Sequence, residues 1–408
     1  MHEKQLFLLK TGFILLVRKK GDQNMNDFVY EYPVKTYFAK NAVEKYLSQA
    51  VKPYGKKVLL AYGGGSIKRN GIYDAVVKAL KDADKEIVEF SGIMPNPTYT
   101  KVLEGTKLAR ENNVDLILAV GGGSVIDCSK IVAAAAKMDG DIWTEEMVNR
   151  HLPTEFVKMG VVLTLTGTGS EMDNGGVITN EDLKVKAGML GAYSDFAIMD
   201  PSFTKGMPVK KFMPAAFDTL SHCMETYFGN IDSVNLSDQI NEAVMKAQIE
   251  NIRKYLKNPE DENVLGELAW ASSMGENGIL KIGKVTDFQC HQIEHQLGAY
   301  TNCVHGEGLA VLHPALYRHI YKNGVKKFAR WARNVWDVKE DDDEKAAVAG
   351  IDALAAFIKE IGLPTTLTEL GITDEEILKK VAETSNISPG CCKKLTSDEI
   401  LDILHEVK

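Results

Sequence analysis

A chain of 408 residues is too long for one ordinary core, so two domains are expected. Its net charge of −8 and pI near 5.7 exclude a nucleic-acid partner, because binding a phosphate backbone needs a basic footprint. With 45% hydrophobic and 25% charged residues, the composition suits a soluble globular protein that acts on small molecules.

The N-terminal residues 1–24 stand apart from the rest. Gln5 to Val17 is apolar except for Gln5, Lys10 and Thr11, and Arg18-Lys19-Lys20 follows. The stretch is too short to span a bilayer, carries a charge in its middle and lacks a small-residue cleavage site. It reads as a tail, with the working protein beginning near Met25; a weak membrane-surface anchor is the alternative.

From Val58 to Asp200 short apolar runs alternate with helical stretches. Val58–Tyr62, Ile87–Phe90 and Leu116–Val120 read as strands, the last apolar at every position, as suits a parallel sheet covered on both faces. A helix is expected through Leu80, and another over Thr98–Asn112 that buries Val102, Leu103, Leu108 and Ala109. Alternating strands and helices predict a doubly wound α/β domain over residues 25–207. Beyond it the apolar positions follow helical spacing, which predicts an all-helical domain over 208–408. Its expected helices include Ala215–Tyr227, Asn235–Leu256, Leu265–Ile282, Phe288–Leu297, Lys345–Ile361 and Asp374–Thr384.

Two glycine loops interrupt the α/β half. Gly121-Gly122-Gly123-Ser124 lies between a buried strand and a helix expected to begin near Val125. Glycines let a phosphate approach the backbone, and the free N–H groups of a helix start attract an anion. Asp127 is expected to tie this loop by accepting its N–H groups; the bland reading is a tight turn with no ligand. The earlier loop, Gly63-Gly64-Gly65-Ser66, repeats the pattern after Val58–Tyr62, so the two are read as βα units of one nucleotide-binding domain. An acidic side chain after a strand commonly holds the ribose of NAD, whereas basic groups accommodate the extra phosphate of NADP. This loop offers Ser66, Lys68 and Arg69 and no acid, which favours NADP(H) over NAD(H); the bland reading is that Lys68 and Arg69 simply cover a solvated helix start.

Five of the nine histidines fall between His291 and His319. Asp218 and His222 are four apart, as are His291 and His295, so each pair shares a helix face. His305 follows between Cys303-Val304 and Gly306, where glycines would let a loop return to the same site. One carboxylate and three imidazoles suit Fe²⁺ or Zn²⁺; taken singly, each pair could be a satisfied structural feature. The six cysteines form no C-x-x-C pair, and adjacent Cys391 and Cys392 have poor geometry for a disulfide, so reduced thiols are expected.

At these residues the chain resembles the iron-containing (group III) alcohol dehydrogenases, especially the butanol dehydrogenase-like branch. The resemblance runs from about Met25 to Lys408. It rests on Gly121-Gly-Gly-Ser-x-x-Asp127, Thr164–Glu171, Asp218-x-x-x-His222, His291-x-x-x-His295 and His305-Gly306, in that order. It implies that Asp218, His222, His291 and His305 ligate the metal, Fe²⁺ or Zn²⁺. It implies that His295 lines the cleft without ligating and relays a proton. Gly122, Gly123 and Ser124 match the pyrophosphate loop, and Thr164, Thr168 and Lys186 match positions along the cofactor. Gly63 stands where many NAD-preferring members carry aspartate, as in the NADP-using branch. One departure is His291-Gln-Ile-Glu-His-Gln-Leu-Gly298, where many members read His-Gly-Met-Ala-His-Pro-Leu-Gly; Glu294 is expected to bring a charge near the cleft.

The implied activity is hydride transfer between NAD(P)H and a small primary alcohol or aldehyde such as butanol or butanal, in the cytoplasm, with no membrane partner. Sheet-edge homodimerisation is the analogy such folds offer. A glycerol-type polyol dehydrogenase and a lyase like dehydroquinate synthase are the rivals on the same plan. A non-catalytic metal or nucleotide sensor is the rival from another class.

Overall fold

The computed structural model describes residues 28–229, 234–387 and 392–408; the N-terminal tail and Cys391 lie outside them. The chain divides into two compact units: residues 33–208 with 257–273, and residues 28–32, 209–256 and 274–408.

The first unit is built on a parallel sheet. Its elements are β1 (Lys35–Phe38), α1 (Ser48–Val51), β2 (Lys57–Tyr62), α2 (Ser66–Arg69), α3 (Ile72–Asp82), β3 (Glu86–Phe90), α4 (Tyr99–Asn112), β4 (Leu116–Gly121), α5 (Gly123–Ala135), β5 (Lys158–Leu163), the hairpin β6 (Gly175–Asn180) and β7 (Val185–Leu190), and β8 (Phe196–Met199). Six strands pair in the order β1-β8-β5-β4-β2-β3, all parallel. Alternation along the strands sends successive side chains to opposite faces. Leu59, Ala61, Ile117, Ala119 and Val161 pack with α4 and α5. Val58, Leu60, Tyr62, Leu118 and Val120 pack with α1 and α3. Because both faces are covered, β4 is buried at every position, and a fully buried Ile117 or Leu118 contributes roughly 1.5–3 kcal/mol. This is the doubly wound architecture that the apolar runs predict.

The predicted strands over 58–62, 87–90 and 116–120 are present. α4 departs from its predicted face. Thr98 caps it through the Lys101 N–H, and Val102, Gly105, Thr106 and Ala109 are buried, whereas Leu103 is exposed. The buried stripe follows the i, i+3, i+4, i+7 positions from Val102, and Leu103 falls beside it.

The second unit is helical: α6 (Val209–Phe228), α7 (Leu236–Lys257), α9 (Gln289–Thr301), α10 (His305–Ile320), α11 (Val325–Val335), α12 (Asp343–Glu360), α13 (Glu375–Thr384) and α14 (Ser397–Glu406). Between α7 and α9 runs α8 (Glu262–Glu276), which belongs to the sheet unit as far as Ser273. Several boundaries differ from expectation. α6 starts at Val209 and passes through Pro214. A proline near a helix start removes few hydrogen bonds, and Phe212 and Met213 are fully buried on that turn. α8 stops at Glu276, where Asn277-Gly278 leads into a short 3-10 turn, Ile279–Lys281. α10, α11 and α14 have no counterpart among the predicted helices. None of the described helices is long and apolar enough to cross a membrane.

Candidate functional site

In the sheet unit, the repeated strand–glycine pattern becomes a shared edge. Val58 pairs with Leu116 and Tyr62 with Val120, so both glycine loops leave neighbouring strands at their C-terminal ends, where ligands bind open α/β sheets. Gly121 closes β4, Gly122 is extended, and α5 begins at Gly123, two residues earlier than expected. The first N–H groups of a helix have no carbonyl partner within it, so this end of α5 offers donors to an anion.

The loop after β5 lies along the same turn. Thr164 N–H donates to the Gly121 carbonyl at 2.9 Å. A Cβ at Gly123 would stand 2.5 Å from Thr168 Cγ2 and 2.6 Å from its Oγ1, so only glycine lets the two loops meet. The structure therefore gathers Gly122, Gly123, Ser124, Thr164 and Thr168. Lys186 is buried on β7 opposite Thr179.

Asp127 does not tie the glycine loop as expected. Its carboxylate accepts from the Ser170 hydroxyl and, at 3.0 Å, from Val177 N–H. Since α5 begins at Gly123, Asp127 lies beyond the first turn and faces β6. Lys130, fully buried on the same helix, reaches Ser170 Oγ, Asp173 Oδ1 and the Gly175 carbonyl, each at 2.8 Å. Burial raises the Asp127 pKa, and the Lys130 charge opposes the rise. The pair braces residues 170–177 against α5.

At the other loop, Gly65 has a left-handed φ of +96°, a conformation glycine adopts freely. Lys68 stands 4.4 Å from the Tyr73 ring centroid and 5.0 Å from that of Tyr62. The loop has no acid, but β3 supplies one that sequence inspection passes over: Glu89 accepts from the hydroxyls of Tyr62 and Tyr73 and lies 4.0 Å from Lys68.

In the helical unit, one oxygen gathers three imidazoles. Asp218 Oδ1 lies 3.4 Å from His222 Nε2, 3.5 Å from His291 Nε2 and 3.6 Å from His305 Nε2. Asp218 and His222 share a face of α6, His291 is on α9, and His305 opens α10. His305 is thus not on a glycine-rich loop as expected. Gly306 and Gly308 are helical, and a Cβ on Gly306 would stand 2.0 Å from the Pro214 carbonyl oxygen of α6. Glycine there is what lets the start of α10 press against α6 and bring its histidine to Asp218.

These residues fit a metal ion. A tetrahedral ion with bonds of roughly 2.0–2.2 Å needs ligand atoms roughly 3.3–3.6 Å apart, and the three distances from Asp218 Oδ1 have that length. Asp218, His222 and His291 form one compact group, and His305 groups with Glu294 and His295 beside it. Asp218 Oδ1 and His291 Nε2 are buried with no hydrogen-bond partner among the described residues, an arrangement that is costly unless a cation completes it.

Behind each imidazole stands a carboxylate. His222 Nδ1 meets Glu276 Oε1 at 2.6 Å; His291 Nδ1 meets Glu225 Oε2 and His305 Nδ1 meets Glu294 Oε2. Such partners fix the tautomer that leaves Nε2 free to ligate and strengthen it as a donor. Burial opposes charge throughout, yet the neighbours prevail. The charges of His222 and His305 hold Asp218 well below its usual range. Glu276 and Asp218 carry His222 well above 6.5. Glu276, beside Lys281 and His222, is brought down to about 2.

Sequence inspection misses Glu225 and Glu276 as partners. Glu225 is on α6, but the imidazole it backs, His291, is on α9. Glu276 comes from α8 and leaves no local signal. Glu294 has no exposed surface: it is a prop for His305 rather than a free charge. His295 stands beside the cluster, its ring 6.0 Å from that of His291 and 5.6 Å from that of His305. His313 is elsewhere: it bonds Ser221 Oγ at 2.6 Å, and burial lowers its pKa to about 4.

Comparison with known proteins identifies the family of the chain. Residues 33–201 match the iron-containing alcohol dehydrogenase family and residues 213–407 match the C-terminal domain of the same family. The chain is 38% identical to a probable NADH-dependent butanol dehydrogenase 1 of Bacillus subtilis, over 93% of this chain and 99% of that protein. It is 34% identical to the NADPH-dependent aldehyde reductase YqhD of Escherichia coli, over 88% and 94% of the two chains. The crystal structure of an NADH-dependent butanol dehydrogenase A from Thermotoga maritima superposes with a TM-score of 0.89 at 33% identity, over 94% of this chain and 99% of the other. The chain therefore belongs to the iron-containing alcohol dehydrogenase family, in its butanol dehydrogenase-like branch.

Proposed function

We propose that the protein is a metal-dependent alcohol dehydrogenase and aldehyde reductase that moves a hydride between NADP(H) and a small primary alcohol or aldehyde. The observation that carries this reading is the single buried oxygen of Asp218 facing three imidazole Nε2 atoms, each imidazole backed by a carboxylate.

Asp218, His222, His291 and His305 would hold Fe²⁺ or Zn²⁺. The ion would polarise the substrate oxygen as a Lewis acid, while the nicotinamide exchanges the hydride. Gly122, Gly123 and Ser124 bind the pyrophosphate at the start of α5. Thr164 and Thr168 wall that loop, Asp127 braces residues 170–177 against α5, and Lys186 sits on the hairpin that Asp127 anchors through Val177. Bound NADP(H) would accept the hydride in alcohol oxidation and supply it in aldehyde reduction, and His295 is the group of this chain that would carry the hydroxyl proton towards solvent or return it.

NADP(H) is favoured over NAD(H) because Gly63–Ser66 presents Lys68 and Arg69 without an acid in the loop. The Glu89 carboxylate is already taken by two tyrosine hydroxyls. A domain division at 207/208, a cytoplasmic location and a sheet-edge homodimer complete the reading.

The test is anaerobic NADPH and NADH oxidation with butanal after reconstitution with Fe²⁺ or Zn²⁺, beside a chelated control. Metal-dependent turnover that prefers NADPH supports the reading, and His291→Ala abolishes metal and activity together. Full turnover without metal refutes it. One bound metal per chain without turnover on any small aldehyde or alcohol favours the polyol or lyase alternative.

A further inference from the structure

The three histidines are not held equally. His222 and His291 lie inside helices, with side-chain exposures of 15% and 6%. His305 is the first residue of α10 and is 25% exposed. No helical turn precedes it, and Val304 beside it is exposed. The backbone alone therefore constrains this imidazole least.

Glu294 supplies the missing constraint. It belongs to α9, has no exposed surface, and gives Oε2 to His305 Nδ1 on the next helix. Its other oxygen accepts from the Cys303 thiol at 3.7 Å. A Cβ on Gly308 would come within 2.9 Å of Glu294 Cγ, so the bare backbone one turn into α10 leaves the space the carboxylate fills. Cys303, His305 and Gly308 thus form a fitted seat for one buried anion. That anion bridges the break between the two helices.

We infer that Glu294 is a positioning residue that fixes the His305 imidazole for Nε2 coordination and thereby governs how tightly the chain retains its metal. The inference rests on the metal reading of Asp218, His222, His291 and His305. It adds that the acid by which this chain departs from the commoner His-Gly-Met-Ala-His pattern acts through His305 and not on the substrate.

The probe is Co²⁺, whose visible ligand-field bands report coordination, together with the rate of Zn²⁺ loss to a chelator. Wild-type protein, Glu294→Gln, Glu294→Ala, His305→Ala and the double variant Glu294→Gln/His305→Ala are compared, each with its far-ultraviolet circular dichroism. Support for a ligating histidine is worth roughly 10- to 100-fold in metal affinity. Glu294→Ala is expected to lose that much and to shift the Co²⁺ bands. Glu294→Gln, which keeps an acceptor but not the charge, loses less. In the His305→Ala background the Glu294→Gln change has no further effect, because the residue through which it acts is gone.

Unaltered affinity and bands in both Glu294 variants overturn the inference while leaving the metal reading intact. A loss of equal size in the His305→Ala background also overturns it, because that marks a general structural role. A wild-type chain that takes up no Co²⁺ overturns the metal reading and this inference with it.

Discussion

Replacing Gly306 with alanine tests whether the approach of α10 to α6 builds the metal site. The added Cβ would stand 2.0 Å from the Pro214 carbonyl oxygen and 2.6 Å from its carbon, against a floor of 3.0 Å for real contacts. Both atoms are backbone, so the strain cannot be relieved by a rotamer change, and the start of α10 must retreat by about 1 Å or more. Metal–ligand distances hold within about 0.2 Å. His305, the neighbouring residue, would leave the coordination distance of an ion at Asp218. Metal affinity should fall by more than the roughly 10- to 100-fold that loss of a supporting residue costs. Stability of the metal-free protein should fall by roughly 1–3 kcal/mol, the usual cost of overpacking. Chelator competition measures the first and denaturant unfolding without metal the second. Gly308→Ala is the internal comparison: its nearest neighbour is the Glu294 side chain, which can shift, so both losses should be smaller. Wild-type metal affinity in Gly306→Ala would refute the idea that this contact sets the position of His305.

Gly123→Ala should weaken NADPH binding by roughly 10-fold or more while leaving metal content unchanged, because its Cβ would strike Thr168; a fluorescence titration reads this, and Thr168→Ala in the same chain should restore part of it. Glu146 gives a pH prediction: it is buried, accepts from Leu190 N–H, and burial raises its pKa from 4.5 to about 7. An acid raised on folding adds stability below its unfolded pKa and loses it as pH rises through the folded value, here between 4.5 and about 7. At about 1.4 kcal/mol per pH unit that interval amounts to roughly 3 kcal/mol. Glu146→Gln keeps an acceptor for Leu190 and should therefore be more stable than wild type by up to about 3 kcal/mol at pH 8, with no gain near pH 4.5. Equal effects in unfolding titrations at both pH values would contradict this.

The sequence by itself determined what depends on neighbours a few residues apart. A run such as Leu116–Val120 has no polar face to show water, so it becomes a central parallel strand. Its glycine loop and that of Val58–Tyr62 lie side by side because the two strands pair in register. Helical spacing likewise places Asp218 and His222 on one face of α6. Tertiary structure decided what depends on packing between distant segments. His305 opens a helix because Gly306 and Gly308 allow close packing against α6 and Glu294, whereas glycine in a sequence reads first as a loop. Asp127 faces Ser170 and Val177 because α5 begins two residues early. Above all, the carboxylate behind each imidazole comes from a different helix: Glu225 of α6 for His291 of α9, Glu294 of α9 for His305 of α10, and Glu276 of α8, 54 positions from His222. Periodicity reports which way a side chain points from its own element; which buried partner it meets is settled only when the elements pack.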